Sequence, residues 1–421
     1  MQRRYFGTDG VRGVVGESLT RELVAQLGRA AVLADGAKRV FVGRDTRASG
    51  VELEAALAEG IGSAGATAVL GGVLPTAAVA LGALDLGIAI TASHNPPAYN
   101  GVKFFNGDGS KLSDEQEARI EGLLDDGAPA GGGAGEPVGG AAGRYLDYVL
   151  GAFGADLGGL RVVVDCANGA YSGLAPQAFA RLGAEVHAIG NAPDGSNINL
   201  GCGAGDTALL RESVLGRGAD LGIAFDGDGD RVACVDERGE LVDGDGILAI
   251  LALDLGVELV CVTQMTNLGF HDLMASHGIR VVTTEVGDRY VLEALLREGG
   301  VLGGEQSGHV IYLDGHVSGD GLTAGLLLCA ALRGRTLSDA AAVLERYPQA
   351  KENVPVVSKE LTPAVLEAVA RLSAELEGIG RVLVRPSGTE PLVRVLVETP
   401  SAARAQEACD RIASLVQSEL G

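Results

Sequence analysis

Three aspartates follow an apolar run near the middle of the chain. The run Leu221–Phe225 leads directly into Asp226, Asp228 and Asp230, which single glycines separate. Carboxylates this close repel one another unless a hard divalent cation neutralises them, and glycine lets a loop wrap around the ion. The segment therefore predicts a metal site, and a solvated acidic turn is the simpler alternative.

Two known carboxylate arrangements fit this spacing less well. An EF-hand loop beginning at Asp226 needs glycine at its sixth position for a sharp turn, but Arg231 stands there and the flanks are strand-like. Phosphatases of the haloacid dehalogenase superfamily read Asp-x-Asp-x-Thr or Val after the strand, whereas Asp230 comes last here. A third carboxylate suits a metal cradle better than an aspartyl-phosphate nucleophile.

A serine follows a second apolar run, Gly87–Thr91. A lone Ser-His-Asn usually marks a turn that bonds to its own backbone. With a metal loop elsewhere, Ser93 becomes a candidate hydroxyl that cycles through a phosphate ester, which needs a dication to offset its charge. His94 adjoins it, but successive residues of an extended chain point apart, so we do not expect a Ser93–His94 nucleophile pair. Lys103, ten residues on, offers a positive or proton-transferring group.

Two further polar segments suit a phosphorylated sugar. In Gly303–His309, the residues Glu305, Ser307 and His309 alternate, so in an extended loop they would point to one side and meet vicinal sugar hydroxyls. The segment Val384–Pro391 combines arginine with hydroxyl groups around a glycine, as a phosphate cradle requires. Alone, either segment would be an ordinary loop or turn. The predicted phosphate contacts are Arg385, Ser387, Gly388, Thr389 and Arg394.

Composition narrows the classes of function. The chain has 421 residues, 47% of them apolar, and a net charge of −22, which indicates a globular protein that binds neither a nucleic-acid backbone nor an anionic membrane. An anionic substrate must therefore find its cations in a local pocket. The six cysteines lie at least 27 residues apart, so no CxxC pair exists. Without an apolar leader or a run long enough to span a bilayer, we expect a cytoplasmic protein.

Short β-branched runs alternate with longer Ala/Leu-rich stretches, which predicts βαβ units with ligand sites beyond the carboxyl ends of strands. Among the predicted elements are the helices Arg21–Asp35, Thr76–Leu84 and Ala402–Leu420, the strand Leu259–Thr263 and the extended run Asn353–Val357. The pattern restarts after the low-complexity segment Asp125–Gly143 and again near Ile247. We predict three similar mixed α/β domains and a smaller C-terminal α+β domain. The predicted domains, carrying in turn the serine, metal, sugar and phosphate loops, are 1–153, 154–246, 247–350 and 351–421.

Together and in this order, the four segments resemble the α-D-phosphohexomutase family over essentially the whole chain. Five other stretches strengthen the resemblance: Phe6-Gly-Thr-Asp-Gly-Val-Arg12-Gly, Gly43-Arg44-Asp45-Thr46-Arg47, Asp165-Cys-Ala-Asn168-Gly, Val242-Asp-Gly-Asp245 and Val286-Gly-Asp288-Arg289-Tyr290. The resemblance implies four domains around a central cleft, each contributing one loop, and an isomerase that moves a phosphoryl group within a hexose phosphate.

The resemblance also implies roles for the candidate residues. Ser93 would be phosphorylated in the resting enzyme and would join the three aspartates in holding one Mg²⁺. Arg12 and Lys103 would lie near Ser93 and assist phosphoryl and proton transfer. The sugar hydroxyls would meet Glu305, Ser307 and His309, and the distant phosphate would meet Arg385, Ser387, Gly388, Thr389 and Arg394.

The implied reaction passes the phosphoryl group of Ser93 to O1 of a hexose 6-phosphate. The resulting 1,6-bisphosphate turns over in the cleft and returns its 6-phosphoryl group to Ser93. The first phosphate would come from a hexose 1,6-bisphosphate activator, a kinase or autophosphorylation, and a homodimer is in keeping with bacterial members. The small-molecule product would feed UDP-N-acetylglucosamine and cell-wall precursor synthesis.

The sequence carries mixed signals on the sugar. Gln306 and the start Phe6–Gly13 are typical of family members that act on glucosamine phosphate, which we therefore expect as substrate. Tyr99, where Asp is usual before Asn-Gly, and the run Thr91–Pro97 look more like glucose or mannose mutases, which remain the alternative. A Mg²⁺- or Ca²⁺-stabilised binding protein without turnover is the rival of another class, and intact Ser93 speaks against it.

Overall fold

The computed structural model describes residues 4–7, 9–124, 132–387 and 391–421. Two predicted phosphate contacts, Gly388 and Thr389, lie outside the described residues, as do the first residues of the segment 125–143. The described residues form two units, Met1–Met265 with Gly278–Val343, and Thr266–His277 with Leu344–Gly421. None of the described helices is both long and apolar enough to cross a membrane.

The first sheet of the larger unit has six strands in the order β1-β5-β4-β2-β3-β6. Strand β2 lies between β3 and β4 and is parallel to both, and β5 pairs antiparallel with β4. Its strands are β1 (Val11–Val14), β2 (Arg39–Arg44), β3 (Thr67–Val73), β4 (Leu86–Ile90), β5 (Tyr99–Asn106) and β6 (Glu136–Pro137). Its helices are α1 (Arg21–Asp35), α2 (Gly50–Ser63), α3 (Thr76–Leu81), α4 (Asp114–Glu121) and α5 (Ala141–Phe153).

Helices cover both faces of this sheet because side chains alternate along each strand. Val40 and Val42 of β2 join the core formed with α1 and α2. A Cβ at Gly43, the residue after Val42, would instead meet Val79 of α3 at 2.5 Å. The carboxyl ends of β2 and β4 are thereby left to present loops.

Two further sheets repeat the strand arrangement of the first. The second, in the order β11-β10-β9-β7-β8, places parallel β7 between β8 and β9, with antiparallel β10 beyond β9. In the third sheet, whose order is β13-β12-β14-β15, parallel β12 lies between β13 and β14, and antiparallel β15 lies beyond β14. The strands are β7 (Arg161–Asp165), β8 (Glu185–Ile189), β9 (Leu221–Phe225), β10 (Val232–Asp236), β11 (Leu241–Val242), β12 (Leu259–Thr263), β13 (Arg280–Thr284), β14 (Leu302–Gly304) and β15 (Val310–Tyr312).

The helices that occur along this part of the chain are α6 (Ala175–Arg181), α7 (Ala208–Arg217), α8 (Gly244–Leu255), α9 (Leu268–Ser276), α10 (Asp288–Glu298), α11 (Gly321–Leu332) and α12 (Leu337–Ala341). The serine, metal and sugar loops therefore occupy one equivalent position: each joins a parallel strand to its antiparallel neighbour. The serine loop connects β4 to β5, the metal loop β9 to β10, and the sugar loop β14 to β15.

The smaller unit is an antiparallel sheet in the order β16-β18-β17 with helices. Its elements are β16 (Gln349–Pro355), α13 (Pro363–Glu375), β17 (Arg381–Pro386), β18 (Leu392–Glu398) and α14 (Ala402–Leu420). Helix α9 groups with this unit, and Asn267 exchanges hydrogen bonds of 2.9 Å with the backbone of Tyr347. Val393, Val395 and Val397 of β18 form its core with α13 and α14.

The predicted fold class is confirmed: three similar mixed α/β layers precede a smaller α+β unit. One predicted element is too long, because the helix expected over 76–84 ends at Leu81. Gly82 follows, and a Cβ there would meet the Phe41 ring at 2.7 Å. The extended run expected over Asn353–Val357 belongs to the earlier strand β16.

Buried ion pairs join the first layer to the third within the larger unit. Arg289 of α10 forms an ion pair with Glu117 of α4, and both side chains are almost fully buried. Arg289 also donates to Asp114 at 2.6 Å. Because an unpaired buried charge is costly, these contacts fix the third layer against the first.

We expect Arg289→Ala to lower the free energy of unfolding by about 3–5 kcal/mol, since it leaves Glu117 buried without its partner. Urea unfolding followed by circular dichroism measures the change. Arg371→Ala is the control, because Arg371 makes an exposed pair with Glu367 on α13 and such pairs contribute little. Equal effects of the two substitutions would contradict the assignment.

Candidate active site

The metal loop brings its three aspartates together. Asp226, Asp228 and Asp230 are buried, and one ligand atom from each lies within 4.8 Å of the others. The loop closes as a turn in which Gly229 N donates to Asp226 O at 3.0 Å. Burial raises the pKa of Asp226 well above its usual range, and repulsion from the Asp230 and Asp228 carboxylates adds to this rise. Alternation along a glycine-rich turn thus concentrates negative charge at one point.

These carboxylates fit a hard divalent cation. Asp228 Oδ1 is buried and has no hydrogen-bond partner among the described residues, so the site holds an oxygen with unused coordinating capacity. Asp228 Oδ2, in contrast, accepts from Thr76 Oγ1 at 2.6 Å. Carboxylate oxygens are the ligands that Mg²⁺ prefers.

Ser93 lies at this cluster. Its Oγ donates to Asp226 Oδ2 at 2.5 Å and lies 3.5 Å from Asp230 Oδ1. The four predicted metal-site residues therefore meet, although they come from different sheets. Ser93 adopts φ +51°, an uncommon left-handed conformation for a residue with a side chain.

That conformation makes one prediction wrong. We expected Ser93 and His94 to point apart, but Ser93 is not extended, and His94 Nδ1 lies 3.4 Å from Ser93 Oγ. Burial, with Arg231 and Arg12 nearby, lowers the pKa of His94 to about 4. The imidazole is therefore neutral at pH 7.

Lys103 of β5 enters the same cluster. Its Nζ lies 2.8 Å from Asp228 Oδ2, 2.6 Å from Asp230 Oδ2 and 2.8 Å from Asp9 Oδ2. Burial opposes its charged form, but Asp228, Asp230 and Asp9 together hold the pKa of Lys103 well above its usual range. Lys103 is therefore a fixed positive charge beside the serine hydroxyl.

Arg12 approaches through Asp9. Arg12 Nη2 donates to Asp9 Oδ2 at 2.5 Å, and the same carboxylate accepts from Lys111 at 2.7 Å through its other oxygen. Burial works against ionisation of Asp9, but Lys103, Lys111 and Arg12 hold its pKa well below the usual range. Lys111 also pairs with Asp288 of the third layer.

The sugar loop is a turn and not the extended segment that we expected. Gly308 N donates to Glu305 O at 3.0 Å, and Val232 N donates to Gly308 O at 2.9 Å. Gly308 has φ +93°, and a Cβ there would lie 2.1 Å from Val232 O, so the loop can approach the metal-loop strand only with glycine. The sugar and metal loops are therefore neighbours.

The turn separates the three polar residues that we expected on one side. Ser307 Oγ lies 3.4 Å from Glu305 Oε2, but His309 faces the acidic cluster. Its Nε2 lies 3.1 Å from Asp288 Oδ2 and its Nδ1 3.8 Å from Asp230 Oδ1. Although burial favours the neutral ring, these carboxylates raise the pKa of His309 to about 10.

The phosphate segment belongs to the smaller unit. Arg385 of β17 and Arg394 of β18 are directly opposite each other in the antiparallel pair. Such pairs lie on one face of a sheet, and like charges there repel unless an anion is near. Ser387 is buried, and its carbonyl accepts from Lys359 Nζ at 2.9 Å. The described part of the segment therefore gathers positive charge.

Comparison with known proteins identifies the family. The four phosphoglucomutase/phosphomannomutase domain models match residues 3–130 (α/β/α domain I), 143–239 (α/β/α domain II), 243–347 (α/β/α domain III) and 352–415 (C-terminal domain). A phosphoglucosamine mutase of Pelotomaculum thermopropionicum is 49% identical, with 98% of each chain covered. The chain belongs to the phosphoglucomutase/phosphomannomutase family.

Other relatives agree with this membership. A phosphoglucosamine mutase of Moorella thermoacetica is 50% identical over 94% of this chain and 95% of the relative. Among solved structures, a phosphoglucomutase/phosphomannomutase family protein of Burkholderia thailandensis has a TM-score of 0.83 and 27% identity, with 98% of each chain covered.

Sequence reasoning assigned no role to several charged residues that contact the loops of the larger unit or the phosphate segment of the smaller unit. Asp9, Arg47 and Asp288 stand in stretches that supported the resemblance, so their motifs were the available signal. Lys111 and Lys359 carried no motif and become visible only through their contacts. Arg231, which counted only against an EF-hand, is half-buried at the end of the metal loop, where its backbone N donates to Asp226 Oδ1 at 3.1 Å.

Arg47 holds the serine loop in place. Its fully buried guanidinium pairs with Asp45 at 2.9 Å and donates to four backbone carbonyls of the loop. Those oxygens belong to Ser93 (3.0 Å), Asn95 (2.8 Å), Pro96 (2.6 Å) and Tyr99 (2.9 Å). The left-handed Ser93 is stabilised by this network.

We expect Arg47→Lys to loosen the serine loop, because an ammonium group keeps the charge but cannot reproduce the planar set of hydrogen bonds. Losing buried hydrogen bonds of about 1–3 kcal/mol should speed amide exchange over residues 93–99 about 10- to 100-fold. Mass spectrometry of deuterium uptake measures this change.

Arg44→Lys is the matched control, since Arg44 stands in the same motif but contacts Glu54 and the Asp45 carbonyl. Equal loosening by both substitutions would show that Arg47 has no special hold on the loop.

Proposed function

We propose that this chain is a phosphoglucosamine mutase that interconverts glucosamine 6-phosphate and glucosamine 1-phosphate through a phosphoserine at Ser93. The observation that carries the proposal is the position of Ser93 Oγ, 2.5 Å from Asp226 Oδ2 in a buried cluster that also contains Lys103. A hydroxyl among three carboxylates and a fixed cation suits an ester whose charge a dication offsets.

Mg²⁺ is the proposed cofactor, held by Asp226, Asp228, Asp230 and an oxygen on Ser93. When bound, it would neutralise charge on the phosphoryl group and polarise the bond to Ser93 Oγ. The unused Asp228 Oδ1 and the carboxylate chemistry of the loop support this assignment. The side chains around the serine would supply the remaining charge stabilisation and the positioning of the reacting groups.

In the forward direction, O1 of glucosamine 6-phosphate forms a bond to phosphorus while the bond from phosphorus to Ser93 Oγ breaks. Lys103, fixed as a cation, stabilises charge on the transferring group, and Arg12 lies beyond Asp9 on the same side. The O1 hydroxyl gives up its proton as it attacks, and the released Oγ keeps the electron pair and takes up a proton, so the number of protons is unchanged. Neutral His94 is proposed to accept a hydrogen bond from the Ser93 hydroxyl. Positioning and charge supply most of such catalysis.

The bisphosphate must then present its 6-phosphoryl group to Ser93, so one distal cradle receives either phosphate in turn. Arg385, Arg394 and Ser387 are proposed for that cradle, with Gly388 and Thr389. Glu305 and Ser307 are proposed to bind the sugar hydroxyls, and His309 to orient them from the edge of the metal cluster. A phosphate site that contacts only the charged phosphate group, and not the sugar ring, can bind the bisphosphate in either of its two orientations.

Glucosamine is proposed as the sugar because the curated relatives at 49–50% identity carry that name. Gln306 of the sugar loop, which is typical of glucosamine enzymes, donates to Asp245 in the first turn of α8 at 3.0 Å. Tyr99, the residue that favoured a glucose or mannose mutase, supports the serine loop through its backbone carbonyl. A change of side chain there leaves that support in place.

We expect intact-mass analysis of the active enzyme to show one phosphate, about 80 Da, that Ser93→Ala removes together with nearly all turnover. Ser63→Ala is the control, since Ser63 is a half-buried serine at the end of α2 that bonds to Gly60 O. A Ser93→Ala protein with more than a few per cent of wild-type kcat would sink the phosphoserine assignment.

We expect kcat/KM to be at least about 10-fold higher for glucosamine phosphate than for glucose or mannose phosphate. A 10-fold ratio corresponds to about 1.4 kcal/mol of transition-state binding, which one or two polar contacts to the sugar can supply. The measurement uses phosphorylated enzyme with Mg²⁺. A preference for glucose or mannose phosphate would keep the mechanism and establish the alternative sugar.

A further inference from the structure

Tyr171 packs its ring directly against the metal loop. The ring lies 4.8 Å from that of Phe225, the residue before Asp226. A Cβ at Gly229 would lie 2.2 Å from the Tyr171 ring, so the Gly229 backbone already touches it. Gly229, with φ +76°, stands between Asp228 and Asp230. The position of the ring therefore limits where both carboxylates can lie.

The far end of Tyr171 is anchored to Asp320. Tyr171 Oη donates to Asp320 Oδ1 at 2.5 Å, and Tyr145 Oη donates to Asp320 Oδ2 at 2.8 Å. Thr323 Oγ1, at 2.7 Å, and His316 Nε2, at 3.0 Å, complete the surroundings of the carboxylate. Every member of this network is buried, so its hydrogen bonds are costly to break.

Asp320 returns to the metal loop by a second route. It is the N-cap of α11 and accepts from Leu322 N at 2.9 Å. The adjoining Gly321 N donates to Gly229 O at 2.9 Å. The same glycine is thus held on one side by the Tyr171 ring and on the other by the start of a helix that Asp320 caps. We call Tyr171, Asp320 and Gly321 the Gly229 clamp.

A parallel contact steadies the preceding part of the loop. Ala170 N, next to Tyr171, donates to Gly227 O at 2.8 Å. The backbone on both sides of Asp228 is therefore tied to two segments that Tyr171 and Asp320 link to each other. None of these residues reaches a metal ligand through its own side chain.

We propose that Tyr171 and Asp320 are positioning residues that fix the Gly229 backbone and so set the spacing of Asp228 and Asp230 for the bound cation. The inference rests on the proposed function, because it assumes that the three aspartates hold a divalent cation. Outer contacts that orient metal ligands commonly change metal affinity when they are removed.

The test compares Tyr171→Phe with the wild-type protein in the absence of sugar phosphate. The substitution keeps the ring against Gly229 but releases its anchor on Asp320. Mn²⁺ titration followed by electron paramagnetic resonance should show a Kd about 10-fold higher, as outer contacts typically give. In turnover assays, kcat should recover at saturating Mg²⁺, which a general loss of structure would not allow.

Thr323→Val is the matched control, because Tyr145 Oη lies 2.6 Å from Tyr171 Oη and cannot be changed without disturbing it. Thr323→Val removes an equally buried hydroxyl from the same carboxylate, but Thr323 belongs to α11 and has no hydrogen bond to Tyr171 or Gly229 among those described. We expect the control variant to lose about as much thermal stability as Tyr171→Phe. Its Mn²⁺ affinity should change by less than about 2-fold, which is the size of the small couplings between sites that are not in contact. Unequal metal affinities at equal stability support the clamp.

Equal Mn²⁺ affinities for Tyr171→Phe and the wild type would overturn the clamp while leaving the proposed function intact, and so would equal weakening by both substitutions. A wild-type protein that bound no Mn²⁺ would overturn the metal assignment and this inference with it. The two failures are therefore distinguished by the wild-type titration alone.

Discussion

Repulsion among three buried carboxylates is the constraint on which the larger unit depends. Asp226, Asp228 and Asp230 lie within 4.8 Å of one another, away from the water that would screen them. Like charges in such surroundings cannot all remain ionised without counter-charges. Lys103 reaches two of them from a different sheet, and Arg231 adds positive charge from the loop's own end. When the first layer packs against the second, Lys103 therefore neutralises part of the negative charge of the aspartates.

The repeated strand order explains how the counter-charges arrive. Each of three sheets sends one loop from a parallel strand to its antiparallel neighbour, and these loops carry Ser93, Asp226 and Glu305. The antiparallel strand then returns past the same edge, which is how β5 delivers Lys103 opposite Ala89 of β4. One supersecondary arrangement, used three times, supplies a hydroxyl, a metal loop and a sugar loop.

Much of this could be predicted from the sequence, because local patterns determine local structure. Helix α1, strand β12 and helix α14 have the predicted ends, since caps and apolar periodicity lie within the segments themselves. The clustering of the aspartate triad was predictable because its spacing places three carboxylates in one short turn. In contrast, the left-handed Ser93 depends on Arg47, some forty residues away. The pairing of Lys111 with Asp288 depends on how layers dock, for which no local signal exists.

The charges of the site explain why the proposed phosphoserine and the proposed dication would occur together. Around the serine, the described residues place five carboxylates against four permanent cations, and His309, whose pKa is raised to about 10, supplies a fifth positive charge. Metal ligands must be deprotonated, so with Asp226 ionised for the cation the charges of the protein itself balance. A phosphate ester adds about −2, and a divalent cation restores the balance. Either one alone would leave about two uncompensated charges in a buried site, where compensation is most needed. The carboxylates are Asp9, Asp226, Asp228, Asp230 and Asp288, and the cations are Arg12, Lys103, Lys111 and Arg231.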